Sequence, residues 1–305
     1  MRWIAKALIQ DALSVLPNAD AANLFFQSRV TRGLPRDEAG FIQHAHEAIK
    51  HVDSLSRQTT TELGRARLYE FGAGWDLIGP LTAYCAGAGS QTLVDIRPNL
   101  RIELVNHTIT QLRTHRARLE SEIGRAIRDP GEADVGSVAE LERRFGIRYL
   151  APCDARRTGL EGGCFDLISS TFTMEHIPAA DLEAILIESA RLLTPEGVIS
   201  CSIDMKDHYS YFDAGLSAYN FLRFSPRRWR LVNPSLHFQN RLRHRDYVTL
   251  FEAAGLRIIS EQTLWGDRDD LETVDKLPPW RDFSRRYSLE ELAAREMTVI
   301  ASKSE

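Results

Sequence analysis

The chain is predicted to fold in the α/β class, around a seven-stranded, mostly parallel sheet with helices on both faces. Two observations predict it. From residue 66 onward, short apolar runs alternate with amphipathic stretches, the pattern of parallel strands joined by helical crossovers. Within this region, Leu68–Ile96 reads as strand, glycine turn, helix and strand, with Asp95 at its far end. That order is the first half of a nucleotide-binding α/β unit.

The elements follow in chain order. Residues 1–65 lack strand alternation and read as an N-terminal helical cap over the ligand site; residues 66–305 form the main domain. In the cap, Trp3, Ile4, Ala7, Leu8 and Val15 fit one apolar helix face, and Phe41, Ala45, Ala48, Ile49 and Val52 recur at helical spacing. The first strand is Leu68–Phe71 and the second ends at Asp95. Residues 97–127 read as one long polar helix, with Pro98 in its first turn and Leu100, Leu104, Ile109 and Leu112 in its apolar stripe. After a loop at 129–136 comes a short helix over 137–145, where Ser137 and Glu140 have capping-box spacing. Strand three is Ile147–Ala151, leading to Asp154. Strand four is Cys164–Ser170, followed by an amphipathic helix over 181–193 that the TPEG turn breaks. Strand five is Val198–Asp204. A helix over 245–254 stops at Gly255, and strands six and seven are Leu256–Leu264 and Glu296–Ser302. Residues 205–243 remain as an insertion after strand five, long enough to carry function.

Composition narrows the setting. Hydrophobic content of 43% and charged content of 26% are ordinary for a soluble globular protein. A formal net charge of −4 gives no global pull toward nucleic acid. Cys85, Cys153, Cys164 and Cys201 are scattered without a C-x-x-C pair, so buried free thiols in a reducing, cytoplasmic compartment are expected. No apolar run approaches a membrane span. Lys6, Gln10 and Asp11 interrupt the apolar N-terminus, against a signal peptide.

The glycine turn is the most informative local feature. Gly72 and Gly74 allow backbone conformations that other residues avoid, and let a ligand approach closely. The following helix presents free N–H groups there. A dinucleotide fingerprint needs a third glycine at position 77, where Leu77 stands. Glu70 precedes the turn. A carboxylate there is unwelcome beside a pyrophosphate but suits a ligand with an ammonium group and no phosphate. S-adenosylmethionine (SAM) is such a ligand. A nicotinamide-dependent dehydrogenase is therefore disfavoured.

In these residues the chain resembles the class I SAM-dependent methyltransferases. YEFGAGWD (69–76) resembles their first motif, LVDI (93–96) their strand-two acid and CDA (153–155) their third-strand acidic loop. FDLISSTFTMEHI (165–177) resembles the fourth motif of the type 11 group, and RLLTPEGVISCSID (191–204) the segment leading into its fifth strand. Thr194 and Glu196 depart from the usual lysine and glycine of that segment. The resemblance implies a Rossmann-like sheet and SAM as methyl donor. It places Glu70 near the ammonium, Gly72, Ala73 and Gly74 at the carboxylate, and Asp95 with Ile96 at the ribose. Asp154 with Ala155 would meet the adenine, and Ser170 with Thr171 would floor the sulfonium.

Methyl transfer is an in-line displacement, so the protein mainly aligns nucleophile and methyl and excludes water. An alcohol nucleophile also needs its proton removed. His176 follows strand four, Asp204 ends strand five, and His208 lies four residues further on. One histidine is expected as general base, His208 ahead of His176. Asp204, Asp207, His208 and Asp213 share no firm ligand spacing, so no metal is expected.

The insertion 205–243 mixes aromatic residues with arginines. Aromatic faces suit sugars, and arginines clamp phosphates or carboxylates. Tyr209, Tyr211, Arg223, Trp229 and Arg241 are the candidate substrate contacts, for a nucleotide-sugar, a phosphorylated glycan or an acidic sugar. The competing use is a helical lid packed as a core or as a homodimer contact. Residues 219–255 also resemble methyltransferases linked to bacterial surface-polysaccharide synthesis, which implies a sugar hydroxyl as acceptor. Nitrogen and carboxylate acceptors stay open, as does a non-catalytic binding module. Nucleic acid is disfavoured: SSTF follows strand four where base-amino enzymes carry N/D-P-P-Y, and Pro152-Cys153 precedes strand four.

Overall fold

A computed structural model describes residues 3–14, 33–132 and 134–304. Among them, seven strands form one sheet: β1 (Arg67–Phe71), β2 (Ser90–Val94), β3 (Ile147–Leu150), β4 (Phe165–Thr171), β5 (Leu193–Asp204), β6 (Leu256–Leu264) and β7 (Glu296–Lys303). The order across the sheet is β3-β2-β1-β4-β5-β7-β6. All neighbours are parallel except β7, which runs antiparallel to β5 and β6. The chain moves outward from β1 to β3, then returns to β4 on the other side of β1. The reversal between β1 and β4 opens a crevice at their carboxyl ends, where such sheets hold ligands.

The described helices are α1 (Trp3–Ser14), α2 (Glu38–Gln58), α3 (Ile78–Ala86), α4 (Ile102–Thr114), α5 (Arg116–Ile123), α6 (Val138–Phe145), α7 (Ala179–Leu192), α8 (Pro226–Arg230), α9 (His244–Ala253), α10 (Arg268–Lys276), α11 (Arg281–Arg286) and α12 (Leu289–Ala293). Strand alternation sorts the core. Tyr69 and Phe71 join Leu182, Leu186 and Phe251 from α7 and α9. Leu68 joins Val52 and Leu55 of α2 and Ala83 of α3. Period two therefore puts Glu70 on the α2/α3 side with Leu68. Phe251 is fully buried, so Phe251→Ala is expected to destabilise the chain by about 3–5 kcal/mol, read from the urea midpoint.

Several elements differ from their sequence expectation. Residues 97–127 form two helices, α4 and α5, which meet at His115. Pro98 lies before the first of them, and the Arg101 guanidinium binds the carbonyls of Pro98, Asn99 and Leu100. Ser137 makes no side-chain cap bond; Glu140 accepts from Gly136 N at 2.6 Å instead. The TPEG turn lies within β5. There a Cβ on Gly197 would come within 3.0 Å of the Phe165 carbonyl.

The N-terminal segment does more than cap. Helix α2 packs on α3, β4 and β5, so it completes the layer on one sheet face. Helix α1 splits its expected apolar face: Trp3 and Ala7 pack inward, Ile4 and Leu8 are 49% and 58% exposed, and Lys6 and Gln10 are buried instead. Aromatic partners decide this orientation. Trp3 meets Tyr209 and Phe224, and the Lys6 ammonium sits 2.7 Å from the centre of the Phe212 ring. Burial lowers Lys6 to about 7. Val15 lies outside the described residues.

The insertion folds into short turns and α8, and it builds a separate core with α10 to α12. Those three helices lie within residues 265–295, a stretch for which the sequence reading names no element. Their signals were present: Asp267 with Asp270, and Ser288 with Glu291, form capping boxes. Among the described residues, no helix is long and apolar enough to cross a membrane.

Candidate active site

A cavity of about 760 Å³ opens beyond the carboxyl ends of β1, β4 and β5, with the start of α2 and the insertion as walls. One end is built by the glycine turn. Gly72 and Gly74 both have φ of +77°, a region that strongly favours glycine. A Cβ on Gly72 would lie 2.3 Å from the Thr173 side chain, whereas one on Gly74 would meet nothing within 4 Å. The first glycine thus permits close packing against the β4 exit, where the Thr173 hydroxyl donates to the Gly72 carbonyl at 3.2 Å. The second leaves open space above the turn. Leu77 takes the left-handed conformation in front of α3, at φ 52°, and is completely buried.

Three carboxyls surround this turn. Glu70 is buried, and burial with Asp95 and Asp76 nearby pushes it up to about 8. Asp95 accepts from Gly74 N at 3.2 Å and from the Tyr149 hydroxyl at 3.4 Å. Burial raises it to about 7 against those bonds. Asp76 pairs with Arg36 at 3.1 Å. A buried carboxyl set with one cation beside it favours a positively charged ligand. The open side of Gly74 leaves room beside these carboxyls for such a ligand.

The other end is built where β4 and β5 stop. Phe172 follows β4 in the left-handed region, at φ 48°, a strained conformation of the kind concentrated at functional sites. Its ring meets His44 edge-on. A 3₁₀ turn, Met174–His176, then brings Glu175 and His176 to the cavity. The turn His208–Tyr211 follows β5, capped by Asp207 through Tyr209 N. His208 Nε2 lies 3.3 Å from Asp204 Oδ2, and the Tyr211 hydroxyl donates to the same oxygen. Burial alone would raise Asp204, but the contacts from His208, Lys206 and Tyr211 hold it below its ordinary value. The His176 and His208 rings meet edge-on at 4.8 Å. His176 Nδ1 donates to the Phe238 carbonyl at 2.8 Å.

Residues 129–201 match the type 11 methyltransferase domain family. That span covers the third and fourth strands and most of the fifth, in the sheet whose topology and glycine turn have just been described. Over that span the chain carries a methyltransferase domain of this family. No curated protein matches it. Among solved structures, a Burkholderia thailandensis 1,6-didemethyltoxoflavin N1-methyltransferase is similar at 15% identity and a TM-score of 0.47, covering 95% of this chain and 92% of that one. A geranyl diphosphate C-methyltransferase from Streptomyces coelicolor is similar at 12% identity and a TM-score of 0.46, covering 90% and 89%. A Haloferax volcanii complex of the Trm112 activator with its methyltransferase gives 17% and 0.45, covering 92% and 96%. At that distance these likenesses say nothing of the acceptor.

The methyltransferase brings together Glu70, Gly72, Ala73, Gly74, Thr171, His176, Asp204, His208 and Tyr211, all lining one cavity. Other expected contacts lie elsewhere. Asp95 is bound to the turn, and Arg97 and Asn99 line the cavity beyond it, while Ile96 is 64% exposed. Asp154 is held by Arg156, which also bridges to Asp181, and it does not line the cavity. Three guanidinium bonds and the Arg156 backbone N–H satisfy its carboxylate. Ala155 packs on the core. Ser170 is completely buried and donates to the Phe71 carbonyl, tying β4 to β1.

The insertion residues need a larger correction. Tyr209 is buried and donates to the Val232 carbonyl. The Trp229 indole donates to the Gln239 carbonyl. Arg241 binds the Phe221 and Phe224 carbonyls and lies over the Phe283 ring. Arg223 is exposed outside the cavity. These side chains build the core shared with α10 to α12, so the expected arginine clamp on substrate is absent from the cavity lining. Trp75, Phe212, Phe238 and His237 line it instead. Glu175 was missed although it sits inside the MEHI motif. His237 had no local signal, because the packing of the insertion places it.

Proposed function

We propose that the methyltransferase transfers the methyl group of SAM to a hydroxyl of a small molecule, with a sugar or sugar-like alcohol as the acceptor class. The carrying observation is that one cavity joins the Glu70–Gly74 turn to the Asp204–His208–Tyr211 cluster. When bound, SAM supplies an electrophilic methyl on a sulfonium, with a neutral thioether as leaving group. Glu70 takes the ammonium, and the N–H groups of the 72–76 turn meet the carboxylate. His208 removes the hydroxyl proton as the oxygen attacks, and Asp204 orients its ring and stabilises the charge it gains. Tyr211 and Phe212 offer flat faces to the acceptor. The aromatic lining, which none of the insertion's arginines joins, favours an uncharged alcohol over a phosphorylated or acidic one; the arginines that do line the cavity, Arg36 and Arg97, come from outside the insertion, Arg36 being paired with Asp76.

Incubation of the purified chain with methyl-labelled SAM and a panel of alcohols, free sugars, nucleotide-sugars, amines and carboxylic acids tests this. Label is expected on a hydroxyl, and nucleotide-sugars in the panel test the link to surface-polysaccharide precursors. Transfer confined to amines or carboxylates overturns the hydroxyl assignment.

A further inference from the structure

We propose that Glu175, His176 and His208 form a binding site for a divalent transition metal at the acceptor end of the cavity. One ligand atom from each lies within 4.8 Å of the others. This set differs from the acidic grouping weighed on sequence. Asp207 is occupied by Tyr209 N and Asn220, and Asp213 by Trp3 N.

Three features point to a cation. Glu175 lines the cavity, is 1% exposed, and neither of its carboxylate oxygens has a hydrogen-bond partner. An unsatisfied buried polar group is costly, and a coordinated cation would satisfy both oxygens. His176 gives its Nδ1 proton to the Phe238 carbonyl, which leaves the Nε2 lone pair free. His208 Nε2 lies 3.3 Å from the Asp204 carboxylate but makes no hydrogen bond, so the ring keeps a nitrogen for a metal. A carbonyl or carboxylate behind each imidazole is the outer arrangement that orients metal-binding histidines. Two nitrogens and one carboxylate suit zinc or a similar transition ion; magnesium and calcium prefer oxygen sets. Three protein ligands leave a fourth position toward the cavity. Ligands of one tetrahedral zinc stand roughly 3.3 Å apart, given Zn–N near 2.0–2.1 Å, so binding draws the three atoms together by up to about 1.5 Å. His237, with its Nε2 unpartnered, has its ring 6.5 and 6.3 Å from those of His176 and His208.

Bound metal takes the His208 lone pair that would accept the substrate proton. Metal occupancy therefore blocks turnover, a consequence that rests on the hydroxyl-transfer reading, whereas the site itself does not.

The test is titration of the EDTA-treated full chain with Zn²⁺ by calorimetry and with Co²⁺ by absorption, beside a separate SAM titration. One Zn²⁺ per chain and visible Co²⁺ ligand-field bands are expected. Glu175→Gln and His176→Ala should each weaken Zn²⁺ by about tenfold or more, with SAM affinity unchanged. Absence of Co²⁺ bands in the unmutated chain overturns the site, as does Zn²⁺ binding that both folded variants retain at full affinity. SAM binding without zinc binding sinks the metal site alone; zinc binding without SAM binding sinks the methyl-transfer reading alone.

Discussion

Glu70→Gln is expected to weaken SAM binding by about 10- to 100-fold while stabilising the ligand-free protein at mildly alkaline pH. The first effect is the loss of a charge-assisted contact to the ammonium, worth about 1.5–3 kcal/mol. The second follows from linkage. The Glu70 carboxyl is raised from 4.5 to about 8 in the folded chain, chiefly by burial. Between those values the native state holds a proton that the unfolded state has released. The contribution of Glu70 to stability is therefore fully present below the unfolded value and lost as pH rises through about 8. The slope is at most about 1.4 kcal/mol per pH unit. Glutamine has no proton to lose, so the variant should keep its urea midpoint better between pH 6 and roughly pH 8.5. Part of the slope survives, because Asp95, raised to about 7, has the same sign. SAM favours the ionised carboxylate, so wild-type affinity should rise with pH up to about 8, and the Glu70→Gln dependence should be flatter. Calorimetry at three pH values measures both. A variant that binds SAM as tightly as wild type, at every pH, removes Glu70 from the cofactor site.

The second large effect is on chemistry. His208→Ala, assayed in EDTA with the acceptor found by screening, should lower kcat by about 10²- to 10⁴-fold, the range of a general base. SAM affinity should stay within about twofold, since the His208 ring contacts are with His176, Tyr211 and His237 and the glycine turn belongs to the other end of the cavity. Asp204→Asn should lower kcat in the same direction, through loss of ring orientation and charge. If His208→Ala turns over at the wild-type rate, the proton leaves by another route and His176 becomes the candidate.

Local signals carried much of the fold. The bounds of β6 match those expected, and β7 differs by one residue, because each is an apolar run cut off by a glycine or a polar turn. The glycine turn was legible for the same reason: φ of +77° at Gly72 and Gly74 is a property of the residue type. Glu70 was legible by position, since a residue two before the turn ends a buried parallel strand. Asp154 shows where such reading stops. Its place in the chain is that of a cofactor acid, but Arg156, which also bridges to Asp181, supplies the nearer partner.

The insertion shows the limit more clearly. Its aromatics and arginines look like a substrate wall when read alone. Their facing is set by α10 to α12, which start about 25 residues after the insertion ends and bury Tyr209, Trp229 and Arg241 in a shared core. No periodicity within 205–243 encodes that contact.

By itself, the sequence determined the sheet, the glycine turn and the acid before it, because those depend on neighbours within a few residues. Only the tertiary structure decided the acceptor end. There Glu175, His176, His208 and His237 come from three separate turns, and burial of the insertion brings them around one space. Local chemistry chose the methyl donor's cradle; long-range packing chose which side chains would face the molecule that receives the methyl.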